Sequence, residues 1–449
     1  MKSDLFRQWE LKQFSKTRFF ILTIVFRLLM DFSYVTYISQ IWDYMGFFLV
    51  PNGVKILVSY LFLILFTLFL SQYRQEKFSH FLLILLFYSV YLPIGSIYGL
   101  QDMSTTFFAI ATLSFVLLTY FLIALTTDKE PKIVPPETRF TSRLMPLLHL
   151  LSIYVFLAMT LQNTDNINPM ILFDLDAVYA VRERVSYGLG MSYFFGWQTK
   201  VINPFLIGVY YHNKNRKMLV LYLALQLWLY LVTGHKQVLF LIFVVFVIMR
   251  FSKWLKDLPG LMAWGFTGLM LLSNIELAFR TRSFVIDYFI RRVLFLPALI
   301  SNYYYNFFSE HGFQYWSYSI VGRILQMPKD FPVEPPYLIG QLFFGNPKTN
   351  AVNSYLGTDY MNGGVFGVLF ATVLIIITFR LIDRYAERIG RDIVLITLIG
   401  PVYTLWNTGI LTAFLTGGLF FTLVVLESAR VDTKEPRRLR NRAWEQHHA

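Results

Sequence analysis

Long uninterrupted apolar runs recur through this 449-residue chain and restrict what it can fold into. Each run is about 17–25 residues long, the length that an α-helix needs to cross the hydrocarbon core of a bilayer. A transmembrane β-barrel would instead alternate apolar and polar residues in short strands. Hydrophobic residues make up 56% of the sequence and charged residues 15%, whereas soluble domains average about 45–50% and about 25%. The sequence therefore predicts an all-α polytopic membrane protein.

We predict about 12 transmembrane helices, with boundaries good to a few residues each. The first apolar run has no small-residue cleavage pattern after it, so we expect it to stay as a signal-anchor helix. The seventh and eighth spans are joined by the tight turn Gly234-His235-Lys236, and the last two are nearly continuous. The predicted spans cover residues 18–40, 54–71, 80–98, 105–126, 144–162, 191–211, 218–234, 236–250, 260–279, 361–382, 393–411 and 412–429.

The basic residues indicate the orientation. About 27 of the 40 Lys and Arg residues lie in alternate connecting segments or in the basic tail at about 430–449. Cytoplasmic loops carry such an excess, so both termini are expected in the cytoplasm. This bias and attraction to anionic headgroups of the lipid bilayer explain the net charge of +13 without a nucleic-acid partner. The absence of cysteine excludes disulfides, thiolate metal sites and a cysteine nucleophile.

The whole sequence is predicted to form a single integral membrane domain (1–449) with two long external loops, at about 163–190 and about 280–360. Long loops often carry function, and from Met170 to Val185 the first has the apolar spacing of a short interfacial helix. Arginines in these loops break the positive-inside bias. They are Arg182, Arg184, Arg280, Arg282, Arg291 and Arg292.

A guanidinium group can bind two phosphate oxygens at once and stays charged at any relevant pH. We therefore predict that these six arginines, together with Lys236, bind a phosphate or pyrophosphate. Two alternatives remain open. In the first loop, Arg182 and Arg184 can pair with nearby acids (Asp174, Asp176 and Glu183). In the second loop, the arginines can contact lipid headgroups.

Aromatic and amide side chains of the second loop are candidates for binding sugars. They are Tyr303, Tyr304, Tyr305, Asn353 and Asn362. The same aromatic residues would also suit an interfacial belt, since Tyr and Trp are enriched at both membrane surfaces. Both interpretations remain open.

Few external groups can take a proton from a substrate. His311, His235 and Asp359 are the candidates for a catalytic base, because a base needs a suitable pKa and reach to the reacting proton. Either histidine can also be an ordinary surface residue. No nucleotide-binding or metal-binding motif is present, so neither a metal nor a cofactor is expected.

Three sets of charges lie within or beside the predicted spans. Arg27 and Asp31 are four residues apart and are expected to pair, as are Glu276 and Arg280. Lys200 lies alone among apolar residues, so it needs a partner or a water-filled cavity.

From about Tyr44 to Gly417 the chain resembles bacterial O-antigen polymerases of the Wzy type. Several weak motifs in order carry the resemblance. They are Asp43-Tyr44-Met45-Gly46, the Arg182/Arg184 segment leading to Pro204, Gly234-His235-Lys236-Gln237, Asp287 to Arg292 through Pro297, and Asn350 to Gly367.

The resemblance implies a fold like that of the O-antigen ligases (GT-C-like). It also implies a metal-independent glycosyltransferase of lipopolysaccharide biosynthesis in the bacterial cytoplasmic (inner) membrane. Such enzymes transfer a growing glycan en bloc from undecaprenyl pyrophosphate to a lipid-linked oligosaccharide repeat at the outer face. They carry two functionally important arginine-bearing periplasmic loops, and a chain-length regulator would be a further partner. The alternatives are an O-antigen ligase, which binds the same donor, and a lipid-linked oligosaccharide flippase or transporter, which needs charges at mid-membrane.

Overall fold

The computed structural model describes residues 15–72, 77–125, 139–188, 190–251 and 257–432. Most of the predicted basic tail at about 430–449 therefore lies outside the described residues. The chain forms two compact units. Unit 1 comprises Met1–Lys129, Lys253–Asp383 and Val402–Ala413. Unit 2 comprises Glu130–Ser252, Arg384–Pro401 and Phe414–Ala449.

Among the described residues, nine helices of at least 18 residues are apolar enough to cross a membrane. They are Lys16–Ile41, Gly53–Leu70, Phe78–Leu100, Thr105–Ala124, Met145–Gln162, Arg216–Thr233, Leu258–Phe279, Tyr355–Ile389 and Ile410–Ser428. Each overlaps a predicted span, which confirms an α-helical multi-pass membrane protein. The other predicted spans (191–211, 236–250 and 393–411) coincide with interrupted or shorter helices and stay predictions.

The helix Phe78–Leu100 lies at the centre of unit 1. The apolar part of this helix is completely buried, whereas only 22% of the corresponding part of Leu258–Phe279 is buried. A helix that is apolar on all sides is stable only when protein or lipid surrounds it. Two pairs of helices pack closely, Lys16–Ser33 with Leu258–Phe279 and Gly53–Leu70 with Leu92–Leu100.

The remaining secondary structure of unit 1 includes several short helices and π-helical turns. Its other elements are Tyr34–Ile38, Ser39–Ile41, Asp43–Met45, Phe78–Leu86, Phe87–Tyr91, Thr105–Thr119, Tyr120–Ala124, Ile286–Phe295, Leu296–His311, Ile320–Ile324, Pro335–Phe344, Thr404–Trp406 and Ile410–Phe414. The predicted second external loop is thus largely helical.

Unit 1 contains a buried ion pair within its first span. The Nε of Arg27 donates to both carboxylate oxygens of Asp31 at 2.9 and 3.0 Å, which confirms the predicted pairing. Arg27 is 1% exposed, and its Nη2 donates to Ser59 at 3.1 Å. Asp31 also accepts hydrogen bonds from Tyr60 and Ser96. These side chains thus form one connected polar network inside the unit.

The long helix Tyr355–Ile389 is broken at Gly363 and Gly364. Gly364 has φ +59° and ψ −139°, a backbone conformation that residues other than glycine rarely adopt. The predicted span 361–382 begins beside this break, so Asp359 lies on the short helical part before it.

We expect Gly364→Ala to destabilise the protein by about 1–3 kcal/mol because the backbone would be strained. In addition, the new Cβ would lie 2.6 Å from the Cζ of Phe313. Thermal unfolding in detergent measures the effect. Gly363→Ala is the matched control, since its φ is −157° and its Cβ would lie 3.6 Å from the nearest atom. Equal unfolding temperatures for Gly364→Ala and the unmutated protein would contradict the prediction.

In unit 2, the helix Arg216–Thr233 packs against Asn203–His212, Lys236–Phe251 and Met145–Gln162. The strands Arg139–Ser142 and Ala429–Asp432 pair in antiparallel register. The unit also contains Thr164–Asn166, Pro169–Leu172, Leu175–Arg184, Met191–Trp197, Gln198–Ile202, Arg391–Tyr403 (to Pro401) and Leu419–Ser428. The short helix expected from Met170 to Val185 is thus seen as Pro169–Leu172 followed by Leu175–Arg184.

Candidate functional site

A glycine turn places two predicted site residues against the predicted first external loop. Gly234 ends the helix Arg216–Thr233 in the left-handed conformation, with φ +62°. A Cβ at this position would lie 2.9 Å from the main-chain oxygen of Val178 on the helix Leu175–Arg184. Glycine therefore satisfies both the turn and the close approach.

Two asparagine side chains form hydrogen bonds that anchor the segment around Arg182. Asn166 Nδ2 donates to the main-chain oxygen of Val181 at 2.9 Å and to that of Val232 at 3.3 Å. Asn163 accepts from the Ser186 main-chain N–H at 2.8 Å. Side-chain bonds of this kind replace regular backbone pairing in a loop. The loop is therefore joined directly to the helix end before His235.

Four basic side chains line a cavity of about 410 Å³ in unit 2, which we call the basic pocket. They are Arg182, Lys200, His235 and Lys236. No carboxylate is among the lining residues that the structure describes. The pocket thus brings together three of the predicted site residues and adds Lys200.

In the described part of the chain, the cations of the basic pocket form no ion pair. Among the described residues, no ion pair involves Arg182 or Arg184, so the alternative pairing with acids of the first loop is not seen. Lys236 lies over the ring of Tyr179, with Nζ 4.4 Å from the ring centre. Clustered positive charges without counter-ions favour binding of an anion.

Lys200 reaches the basic pocket from the π-helical turn Gln198–Ile202, and π-helical turns are frequent at functional sites. A chain of buried amides lies beside this turn. Gln198 donates to Asn203 at 2.5 Å, and Asn203 donates to Gln226 at 2.6 Å.

We predicted that Lys200 needs either a partner or a cavity, and the structure shows Lys200 lining the basic pocket. Its isolation among apolar residues was the signal for a site residue, although we did not assign it a role from the sequence.

His235 is held by Tyr187 in the pocket wall. The Tyr187 hydroxyl lies 2.6 Å from His235 Nε2. Burial, together with the positive charges of Arg182 and Lys200, lowers the pKa of His235 to about 4. The imidazole is therefore neutral at pH 7 while the pocket holds no anion.

We expect Arg182→Met to raise the pKa of His235, because one of the charges that disfavour the imidazolium is removed. Burial remains, so the pKa should stay below its ordinary value of 6.5. NMR titration of ¹⁵N-histidine-labelled protein measures the change. Arg184→Met removes an equal charge outside the pocket lining and should leave this pKa unchanged. A lower pKa in Arg182→Met would contradict the assignment.

The four predicted arginines of the second loop have different surroundings in unit 1. The side chain of Arg280 is 73% exposed and lies 3.7 Å from Glu276, which confirms that predicted pair. Arg282 is exposed, and Arg292 lies over an aromatic ring, that of Tyr288. Arg291 alone is buried, with 3% exposure.

Arg291 supports the chain turn around Trp42. Its guanidinium lies 3.6 Å from the centre of the Trp42 ring, and Nη2 donates to the main-chain oxygen of Asp287 at 3.2 Å. The Asp287 carboxylate accepts from Trp42 Nε1 at 2.7 Å and from the Tyr37 hydroxyl at 3.0 Å. Arg291 Nε has no hydrogen-bond partner among the described residues. Arg291 thus has a clear packing role beside its predicted phosphate role.

The two other predicted bases lie in unit 1. Asp359 is fully buried, and one carboxylate oxygen accepts from the main-chain N–H of Ile410 at 2.8 Å. This contact caps the helix Ile410–Phe414. His311 is exposed, and its ring stacks on Phe307 with centres 4.1 Å apart. Neither residue lines the basic pocket.

Most of the predicted sugar-binding side chains are buried inside unit 1. Tyr304 is 1% exposed and donates to the main-chain oxygen of Ala351 at 3.3 Å. Asn353 and Asn362 are also buried. Tyr303 stacks on Phe343, and Tyr305 lies between Phe107 and Tyr360. In this structure their rings and amides therefore contact protein.

Comparison of the chain with protein-family models, with curated proteins and with solved structures gave no match. The basic pocket is accordingly the strongest pointer to function. What is established of this chain's identity is its class, an α-helical multi-pass membrane protein.

Proposed function

We propose that this chain is a metal-independent glycosyltransferase that polymerises undecaprenyl-pyrophosphate-linked oligosaccharide repeats into O-antigen or a related surface polysaccharide. The observation that carries the proposal is the basic pocket of about 410 Å³, which is lined by Arg182, Lys200, Lys236 and the neutral His235, with no carboxylate among the described lining residues. A pyrophosphate carries several negative charges within a few bonds, which such a pocket can neutralise. The motifs from Tyr44 to Gly417 support the same family.

The reaction joins an acceptor hydroxyl to the anomeric carbon of the donor sugar. A new carbon–oxygen bond forms there as the bond to the pyrophosphate oxygen breaks. The leaving oxygen gains negative charge, which Arg182, Lys200 and Lys236 stabilise. Removing one such stabilising group typically costs a factor of about 10²–10³ in rate.

His235 accepts the proton of the acceptor hydroxyl in this scheme. A base works best when its pKa lies near the working pH, and about 4 is too low. Two of the causes are the positive charges of Arg182 and Lys200, which a bound pyrophosphate offsets. Substrate binding thus raises the pKa of His235 toward the range of an effective base.

The finer features of the proposal follow the resemblance. They are twelve spans in a fold like that of the O-antigen ligases, both termini in the cytoplasm of a bacterium, and a chain-length regulator as partner. The exposed Arg280, Arg282 and Arg292 are candidates for a second phosphate contact or for headgroups. His311 and Asp359 stay alternative bases.

An assay of purified protein in lipid nanodiscs tests the proposal. With undecaprenyl-pyrophosphate-linked repeats alone, and without added metal or nucleotide, we expect a ladder of longer lipid-linked glycans. Transfer only after addition of a lipid A–core acceptor would indicate an O-antigen ligase. Movement of the repeats across a vesicle membrane without any transfer would indicate a flippase. Either of these results, or no reaction at all, would overturn the polymerase proposal.

A further inference from the structure

A second, smaller cleft lies within unit 1. It has a volume of about 210 Å³ and is bounded by the turn at 43–46, the helix Leu296–His311 and the loop at 345–351. The lining residues that matter here are Tyr44, Met45, Phe344, Asn346, Thr349 and Asn350. We call it the aromatic cleft. No acidic or basic side chain is among the described residues that line it.

Tyr44 forms an exposed aromatic surface on a fixed support. Tyr44 is 72% exposed, and its ring centre lies 5.6 Å from that of Trp42. Trp42 in turn donates to Asp287 at 2.7 Å and lies under the Arg291 guanidinium. A large exposed ring that protein holds from behind is a common feature of ligand contacts.

The turn that carries Tyr44 is anchored on both sides. Gly46 adopts φ +88°, and its N–H donates to the main-chain oxygen of Asp43 at 2.7 Å. Gln101 Nε2 donates to the Gly46 oxygen at 2.5 Å. Any side chain at position 46 would collide with the Tyr303 hydroxyl. Tyr303, which we predicted to bind sugar itself, thus packs against the turn that presents Tyr44.

Polar side chains of the loop at 345–351 also line the cleft. Asn346 Oδ1 accepts from the Lys348 main-chain N–H at 2.9 Å, which leaves its amide N–H groups available. The side chains of Thr349 and Asn350 form no hydrogen bond with a described residue. The loop itself is held in place, because Ala351 donates from its main chain to Pro336 at 3.0 Å.

We propose that the aromatic cleft binds one sugar ring, with its apolar C–H face on Tyr44 and its hydroxyls bonded to Asn346, Thr349 and Asn350. Amides and hydroxyls both donate and accept, as sugar hydroxyls do. Sites for drug-sized ligands are about 300–1,000 Å³, so this smaller cleft suits a single ring. The inference depends on the proposed function only for the source of the sugar, a unit of the lipid-linked repeat.

Saturation-transfer NMR on the full chain in nanodiscs tests this site. The probes are free glucose, galactose, N-acetylglucosamine and glucuronate. We expect saturation of at least one sugar and a binding about tenfold weaker in Tyr44→Ala, the size of a lost aromatic contact. Tyr44→Phe keeps the ring and should retain binding. Tyr288→Ala removes another exposed tyrosine of unit 1, one that does not line the cleft, and should bind like the unmutated protein.

Several outcomes would overturn the inference. They are the absence of saturation transfer to all four sugars, unchanged sugar binding in Tyr44→Ala, and an equal loss of sugar binding in Tyr288→Ala. Arg182→Gln separates this inference from the proposed function, since it should lower glycan elongation by about 10²–10³-fold while free sugars still bind. If sugars bind through Tyr44 but no glycan ladder ever forms, the polymerase proposal fails and the sugar site stands.

Discussion

Arg182→Gln is expected to lower glycan elongation by about 10²–10³-fold, because a charged donor disappears from the place where the leaving pyrophosphate gains charge. Arg182 lines the basic pocket and has no acidic partner among the described residues. Arg182→Lys keeps the charge without the forked geometry, so an intermediate loss is expected. The nanodisc assay with lipid-linked repeats measures the rates.

Arg184→Gln is the matched control for this prediction. Arg184 ends the same helix and is also exposed, but it does not line the pocket. Its replacement by Gln removes the same charge as Arg182→Gln. We expect near-normal elongation from this variant. Similar losses in both variants would mean that the two arginines act through the general charge of the loop, such as attraction to headgroups. The specific role of the pocket would then be wrong.

Arg27→Leu is expected to destabilise the protein by about 3–5 kcal/mol, because the carboxylate of Asp31 would be left inside unit 1 without its cation. Arg27 is 1% exposed, and the side chain of Asp31 is 14% exposed. The double replacement Arg27→Leu with Asp31→Leu should recover much of the loss, since no charge then remains unpaired. Denaturant unfolding in detergent micelles measures the free energies.

The ion pair of Glu276 and Arg280 provides the matched comparison. It has the same four-residue spacing, but the Arg280 side chain is 73% exposed. An exposed pair contributes about 0–1 kcal/mol, so Arg280→Leu should change stability little. If Arg27→Leu were no more harmful than Arg280→Leu, the network around Arg27 would not stabilise the fold.

Much of the fold could be predicted from local properties of the sequence. The length of each apolar run predicts a membrane-crossing helix, and all nine long apolar helices of the described residues overlap predicted spans. The pairs Arg27–Asp31 and Glu276–Arg280 were also predictable, since helical geometry places such residues side by side. The structure also has helices in the predicted second external loop, where the sequence has no apolar run long enough to predict a span.

The site was only partly predictable. Arg182, His235 and Lys236, which line one pocket, were predicted as site residues because charged and titratable groups stand out in the predicted external segments. Lys200 stood out as a lone charge in an apolar span, but the sequence does not indicate which cavity it enters. Similarly, Tyr304 and Asp359 resemble binding groups in sequence, and only packing shows that both are buried.

The sequence by itself determined that this protein is α-helical, crosses a membrane several times and carries unusual positive charge in two loops. Those properties depend on composition and on neighbours within a few turns of helix. Only the tertiary structure decided that Gly234 packs against the helix of Arg182, and that Lys200 joins His235 in one pocket. Such meetings depend on contacts between residues far apart in the chain, which no local pattern of apolar or charged residues specifies.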